Sequence, residues 1–317
     1  MCASEGIPMA RRLITALTLL ALGAVSPAQA DDWSDCGSRN DADLVIQACT
    51  RIVAMTGANA DRVAPAFLYR GNAYLDKGDL DKAIADYDKA IELKPHSAEA
   101  FYNRGDVYLR KRDFNRALAN LDKAIALKPD FVEAFYVRGS AYREMGEPDK
   151  AMADCNKAIE LKPQFAQAFY CRANTYLDRG DLNKAVADYD KAIALKPDYA
   201  GAFINRGSAF LLRGYLSKAI ADFDKGIALK PQFPEPFDIY YWRGNAYLAK
   251  GELNKAIADF DRAIELKPHF AEAFNDRGVA YQAKGEKAKA KADYDRAIQL
   301  KPGFAAALTN RANLPPR

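Results

Sequence analysis

Only two histidines, His96 and His269, and five cysteines occur in 317 residues. No Cys/His group has the spacing of a zinc site, so no metal is expected. The chain also lacks a glycine-rich phosphate loop, a G-x-S-x-G elbow and an H-E-x-x-H helix. Nothing calls for a cofactor, and no catalytic residues stand out; the chain reads as non-enzymatic. Charge of one sign is scarce too. Lys and Arg total 46 against 42 Asp and Glu, a net of +4, too small and too evenly spread for nucleic acid. The uncharged run Leu13–Val25 is too short to span a bilayer, so no membrane anchor is expected. What is present is a globular composition, 50% hydrophobic and 28% charged.

The first 30 residues read as an export signal. Arg11 and Arg12 precede the apolar run, and Ala28-Gln29-Ala30 is a small-x-small cleavage site followed by Asp31 and Asp32. Its removal deletes Glu5, Arg11, Arg12 and Cys2, lowering the net charge to +3 and leaving Cys36, Cys49, Cys155 and Cys171. The expected location is the periplasm or the exterior, where disulfides form.

Internal repetition dominates the rest. A K-A-I-x-x-K-P string, with small variations, ends at Pro95, Pro129, Pro163, Pro197, Pro231, Pro268 and Pro302, at spacings of 34 except for one of 37. Numbering each unit from 1, position 4 is aromatic from Phe67 to Phe274, position 8 is Gly or Ala, position 11 is Tyr or Phe, and position 20 is always Ala. Small residues at 8, 20 and 27 let two helices approach; large ones at 4, 11 and 24 fill the space between hairpins. Gly at position 15, replaced once by Arg112, suits a helix-ending left-handed turn. On these residues the chain resembles an exported bacterial tetratricopeptide repeat protein. The resemblance implies an all-α fold, a right-handed α-solenoid of antiparallel helix pairs A and B. Its units are 64–97, 98–131, 132–165, 166–199, 200–236 with a three-residue insertion nearby, 237–270 and 271–302. A capping segment, 31–63, precedes them, with Asp43–Val53 spaced like a lone helix B. Residues 303–317 follow as a capping helix and tail. Three extra residues are expected to lengthen or bulge helix A of the sixth repeat.

Position 7, usually Leu in the family, is Arg in every unit: Arg70, Arg104, Arg138, Arg172, Arg206, Arg243 and Arg277, with Arg311 in the cap. Asp or Asn recurs at positions 23 and 25. These acids flank the gap into which position 7 points, so each arginine is expected to be clamped, such as Arg138 between Asp122 and Asp154. Acids that accompany the arginines favour a structural ladder over an anion-binding row. A Cys36–Cys49 bridge would close a short loop and contribute ~3 kcal/mol. Cys155 and Cys171 point into one junction between neighbouring hairpins, as either a second bridge or two buried thiols.

In the family, helix A lines the concave face through positions 2, 5, 9, 12 and 13. Those positions hold Asp76, Glu99, Asp106, Glu133, Glu144, Asp178, Asp238 and Glu272 against only Arg110 and Arg143. Position 5 supplies Tyr102, Tyr136, Tyr170 and Tyr241, and position 9 supplies Asn174 and Asn245. The tyrosines are either contact surface or packing between repeats. The resemblance thus implies an acidic, Tyr-lined groove for a protein or peptide segment, basic or neutral with apolar side chains. The alternative is a scaffold or self-associating component of an envelope complex. The carboxylate clamp of some family members is disfavoured: Leu68, Glu133 and Val137 replace its cations, and only Asn72 and Asn103 match.

Overall fold

A computed structural model describes residues 27–38, 41–55, 59–229 and 237–314. Among them are seventeen helices and no strand. The chain divides into two compact units. Within 7–163 lie α1 (Pro27–Cys36), α2 (Ala42–Val53), α3 (Ala60–Asp76), α4 (Leu80–Leu93), α5 (Ala98–Arg110), α6 (Phe114–Leu127), α7 (Val132–Glu144) and α8 (Pro148–Leu161). Within 164–317 lie α9 (Ala166–Asp178), α10 (Leu182–Leu195), α11 (Ala200–Leu212), α12 (Leu216–Ala228), α13 (Phe237–Ala249), α14 (Leu253–Leu266), α15 (Ala271–Ala283), α16 (Lys287–Leu300) and α17 (Ala305–Ala312). In each unit, consecutive helices pair as hairpins, and each hairpin packs on the next. One hairpin cannot bury its own apolar stripe, so stacking supplies the core.

The turns explain why the pattern is so regular. Each helix A ends on a left-handed residue, Gly78, Gly146, Gly180, Gly214, Gly251 or Gly285, with φ between 74° and 80°. The next amide closes the turn, as when Asp79 N–H donates to the Tyr74 carbonyl at 2.9 Å. Arg112 takes this conformation without being glycine, at φ 59°. The side chains of Asp79 and Asp113 then accept hydrogen bonds from the first turn of the following helix.

Position 7 is built alike throughout. The Arg138 guanidinium donates through Nε and Nη2 to Asp154 at 2.8 and 2.7 Å, and through Nη1 to Asp122 at 2.6 Å. Arg206, Arg243 and Arg277 repeat this three-bond clamp with their own acid pairs. Arg104 uses Asn120 and Asp88, Arg172 holds Asp188 bidentately, and Arg70 reaches Asp86 and the Thr50 hydroxyl. Each guanidinium also lies 5.3–5.7 Å from the ring at position 4. The inner acids are buried, and burial pushes the Asp154 carboxyl up while Arg138 opposes it.

The N-terminal end departs from the sequence reading, whereas α17 (Ala305–Ala312) lies within the expected C-terminal capping segment. The N-terminal cap is not a lone helix: α1 pairs with α2, and Cys36 and Cys49 form a disulfide with Cα atoms 4.8 Å apart. Val45, Ala48, Cys49 and Ile52 join Ala66 and Ala73 of α3 in one buried cluster. The proposed signal, 1–30, lies outside the described residues except for Pro27–Ala30, whose backbone opens α1. Helix α3 starts at Ala60, taking in residues assigned to the cap. Cys155 and Cys171 are buried, and both are disulfide-bonded. Helix α13 has 13 residues, as do α5, α7, α9, α11 and α15. The three extra residues therefore do not lengthen helix A of the sixth repeat; they fall ahead of Phe237.

One packing detail carries a prediction. Position 27 is Ala in six repeats but Gly226 in the fifth. A Cβ there would meet Ile204 Cγ1 at 2.6 Å, and Ile204 is itself buried in α11. Gly226→Ala should destabilise by about 1–3 kcal/mol through overpacking, read by urea denaturation. Adding Ile204→Ala should reduce that penalty; equal penalties in both backgrounds would rule the clash out.

Candidate functional site

Helix A carries the candidate residues, and burial sorts them. Tyr136 and Tyr170 are each 6% exposed, Asp106 7% and Asn174 6%, so they offer a partner almost no surface. Tyr102, Glu133, Ser140, Glu144, Tyr241 and Asn245 are half-buried, while Asp76 and Asp178 are exposed. The buried tyrosines have a packing reason. Position 5 stacks on the aromatic at position 34 of its own repeat: Tyr102 on Phe131 at 5.0 Å, Tyr170 on Tyr199 at 4.8 Å, Tyr241 on Phe270 at 4.7 Å.

The asparagines are occupied as well. In the 7–163 unit, Asn72 Oδ1 accepts from the Tyr87 hydroxyl at 2.8 Å and from Asn103 Nδ2 at 2.9 Å. In the 164–317 unit, Asn174 Oδ1 accepts from Tyr189 at 2.6 Å and Asn205 Nδ2 at 2.8 Å, and Asn205 Nδ2 also reaches the Tyr170 hydroxyl. These bonds join helix A of one repeat to helix A of the next through positions 5, 6 and 9. Sequence reading missed this network. Its signal was there: Asn at position 9 recurs with Asn at position 6 of the following repeat. At Asp276 the network turns acidic, since Tyr241 donates to its Oδ2 at 2.8 Å and Asn275 Nδ2 to its Oδ1 at 2.9 Å. Burial pushes the Asp276 carboxyl up, against those two donors, and pushes the Tyr241 phenol up as well.

Part of the acidic surplus is neutralised locally. Arg110 Nε binds Asp106 at 3.0 Å, Arg112 lies 3.9 Å from Glu144, and Lys301 binds Glu272 at 2.9 Å. Asp106 is pushed up by burial, with Arg110 working the other way. Helix A also keeps large apolar side chains accessible. Leu212, at position 13 of its repeat, is 68% exposed, and Trp242, next to Tyr241, is 40% exposed. The Trp242 ring meets Tyr241 edge-on at 5.1 Å. On a helical wheel position 6 falls about 20° from position 13, so both belong to the edge of one stripe. Among the described residues no group of His, Cys, Asp and Glu could hold a metal ion. No helix there is long and apolar enough to cross a membrane.

Family models described as "TPR repeat" match residues 71–112, 173–214, 207–251 and 244–285. Models described as "Tetratricopeptide repeat" match 102–164, 155–187 and 271–304. No curated protein matches the chain. Among solved structures, Cut9 with Hcn1 of the APC/C hetero-tetramer is similar with a TM-score of 0.70 at 17% identity, over 86% of this chain and 52% of that one. The chain thus spans about half that protein's length. A tetratricopeptide repeat protein from Parabacteroides merdae gives 0.55 at 22%, over 78% and 97%. The type IV pilus biogenesis factor PilW gives 0.59 at 20%, over 65% and 94%. At these identities the likeness concerns the fold.

Proposed function

The chain belongs to the tetratricopeptide repeat family, whose repeats serve protein–protein interaction or scaffolding, and we propose that it holds a peptide or protein segment against its helix-A face. The observation that carries this reading is the exposure of Leu212 and Trp242 on that face. Neither side chain has a packing role that requires exposure, and such side chains anchor interfaces. Within the 164–317 unit, Tyr241 and Asn245 offer partial surface beside them and Asp178 adds acidic character; on helix A of the 7–163 unit the corresponding residues are Tyr102, Asp76, Glu133 and Glu144. The buried Asp106, Tyr136, Tyr170 and Asn174 serve the packing of their own units rather than touch the ligand. The segment is basic or neutral and carries apolar side chains.

The role is non-enzymatic, in line with the family. The location is the periplasm or the exterior, supported by the signal pattern of residues 9–30 and by the disulfide-bonded cysteines.

Selection from a random-peptide display library should enrich Lys or Arg beside Leu, Phe or Trp. Trp242→Ala with Leu212→Asp should weaken a selected peptide by roughly 30-fold while leaving the thermal midpoint unchanged. Enrichment of acidic sequences, or an affinity indifferent to both changes, would move the site elsewhere.

A further inference from the structure

Helix B carries a second, oppositely charged surface. Position 26, on its outward side, is a cation in every repeat. In the first, third and sixth repeats that cation is neutralised one turn on by a glutamate. Lys89 binds Glu92 at 2.6 Å, Lys157 binds Glu160 at 2.7 Å, and Arg262 binds Glu265 at 2.5 Å. In the second, fourth and fifth repeats the glutamate is replaced by Ala126, Ala194 and Ala228, and in the seventh by Gln299; the fourth and fifth are consecutive. Lys191 and Lys225 stand exposed there, with no ion-pair partner among the described residues.

These two lysines lie in one unit, on α10 and α12, which both pack against α11. Two turns earlier on the same stripes stand exposed Lys184 and Lys218. Lys184 lies 3.5 Å from the cap residue Asp181, and Lys218 lies 5.4 Å from the Phe210 ring. The acids of the stripes, Asp190 and Asp224, are held by the ladder arginines Arg206 at 2.5 Å and Arg243 at 2.6 Å. Their charge is cancelled in place, so the lysines set the sign of the surface.

We propose that the outward face of α10 and α12 binds an Asp/Glu-rich segment of a partner protein. Lysines at i and i+7 are about 10 Å apart along a helix, which a run of carboxylates matches. Exposed Ala187 and Ala221 between them, and Ala194 and Ala228 one turn beyond, leave the segment free to approach closely. From Lys184 to Ala194 and from Lys218 to Ala228 the exposed positions hold no aromatic side chain on which a base would stack and no apolar anchor that would enter a bilayer. The exposed Tyr215 stands at the N-cap of α12, with Lys218 5.5 Å from its ring. This site is independent of the helix-A face.

The repeats themselves supply the test. Ala194→Glu with Ala228→Glu installs the same pairing that Lys89 and Lys157 already make, so the fold is expected to tolerate it. A fluorescein-labelled oligoglutamate peptide should bind the full chain in fluorescence anisotropy. The double variant should weaken it about tenfold at low ionic strength. Lys191→Gln with Lys225→Gln should do the same, and Lys89→Gln with Lys157→Gln should change nothing. The proposal is overturned if neither of the first two variants weakens binding, or if the Lys89 and Lys157 variant weakens it as much. It is also overturned if an oligonucleotide of equal charge, or vesicles containing phosphatidylserine, bind this face more tightly than the peptide.

Discussion

Arg138→Ala should cost about 3–5 kcal/mol at neutral pH, because it strands a buried carboxylate. Asp154 is 5% exposed and takes two of its hydrogen bonds from Arg138, at 2.7 and 2.8 Å. Its partner across the clamp, Asp122, is about half exposed and can turn to water. The loss should depend on pH in a definite direction. Burial already raises the Asp154 pKa in the folded chain, and Arg138 is what opposes the rise. Without the arginine the folded carboxyl holds its proton more tightly than the unfolded one. The variant's deficit should therefore be small below the ordinary carboxylate range and grow as pH rises through the raised folded value. Arg138→Leu with Asp154→Leu should recover most of the loss at pH 7, since leucine is the family's usual residue at position 7 and a buried ion pair is replaceable by apolar packing. Urea denaturation at pH 4 and pH 7 reads all three. A single variant as stable as the parent at pH 7 would show that the clamp contributes nothing.

Breaking the Cys36–Cys49 bridge should act locally and strongly. The bridge closes a loop with a sequence separation of 13. Loops of that length contribute about 3 kcal/mol in chain-entropy terms. Besides the bridge, the α1–α2 hairpin is held by one buried cluster, the Arg51–Asp32 and Lys77–Asp43 pairs, the bond from Arg70 to Thr50 and the Arg62 guanidinium over the Trp33 ring. Cys36→Ser with Cys49→Ser should speed amide exchange in α1 and α2 by roughly 100-fold. Exchange in α5 and α6 should change far less, because their contacts are with neighbouring repeats. Equal acceleration in α5 and α6 would mean that the cap and the repeats unfold as one.

The sequence announced the helices, their turns and the recurring Arg-to-Asp register because each is repeated about every 34 residues, and repetition averages out local noise. It failed where a residue's burial and partners are set by contacts that the repeat pattern does not display. Tyr136 and Tyr170 look solvent-facing on a single wheel, but both are 6% exposed, and Tyr170 is covered by Tyr199 at the far end of its own repeat. Asn72 and Asn174 look poised for a ligand, yet each is satisfied by a tyrosine and by an asparagine 31 residues on. Asp106 counted as groove charge, whereas its salt bridge to Arg110 folds it into the wall. Helix α1 went unread because, among its described side chains, Trp33 and Cys36 alone join the cap's apolar cluster, too few to mark a period. Leu212 and Trp242 were legible only as exceptions. Position 13 is charged in the four preceding repeats, and position 6 is Asn in the second and fifth.

The central claim is that helix A, rather than helix B, receives a basic or neutral apolar segment. The most direct measurement is to place a photo-activated cross-linker on a peptide selected against the full chain and to map its attachment by mass spectrometry. The account predicts attachment on α11 and α13, at or beside Leu212 and Trp242. Attachment confined to the outward residues of α10 and α12, such as Lys191 and Lys225, would contradict it.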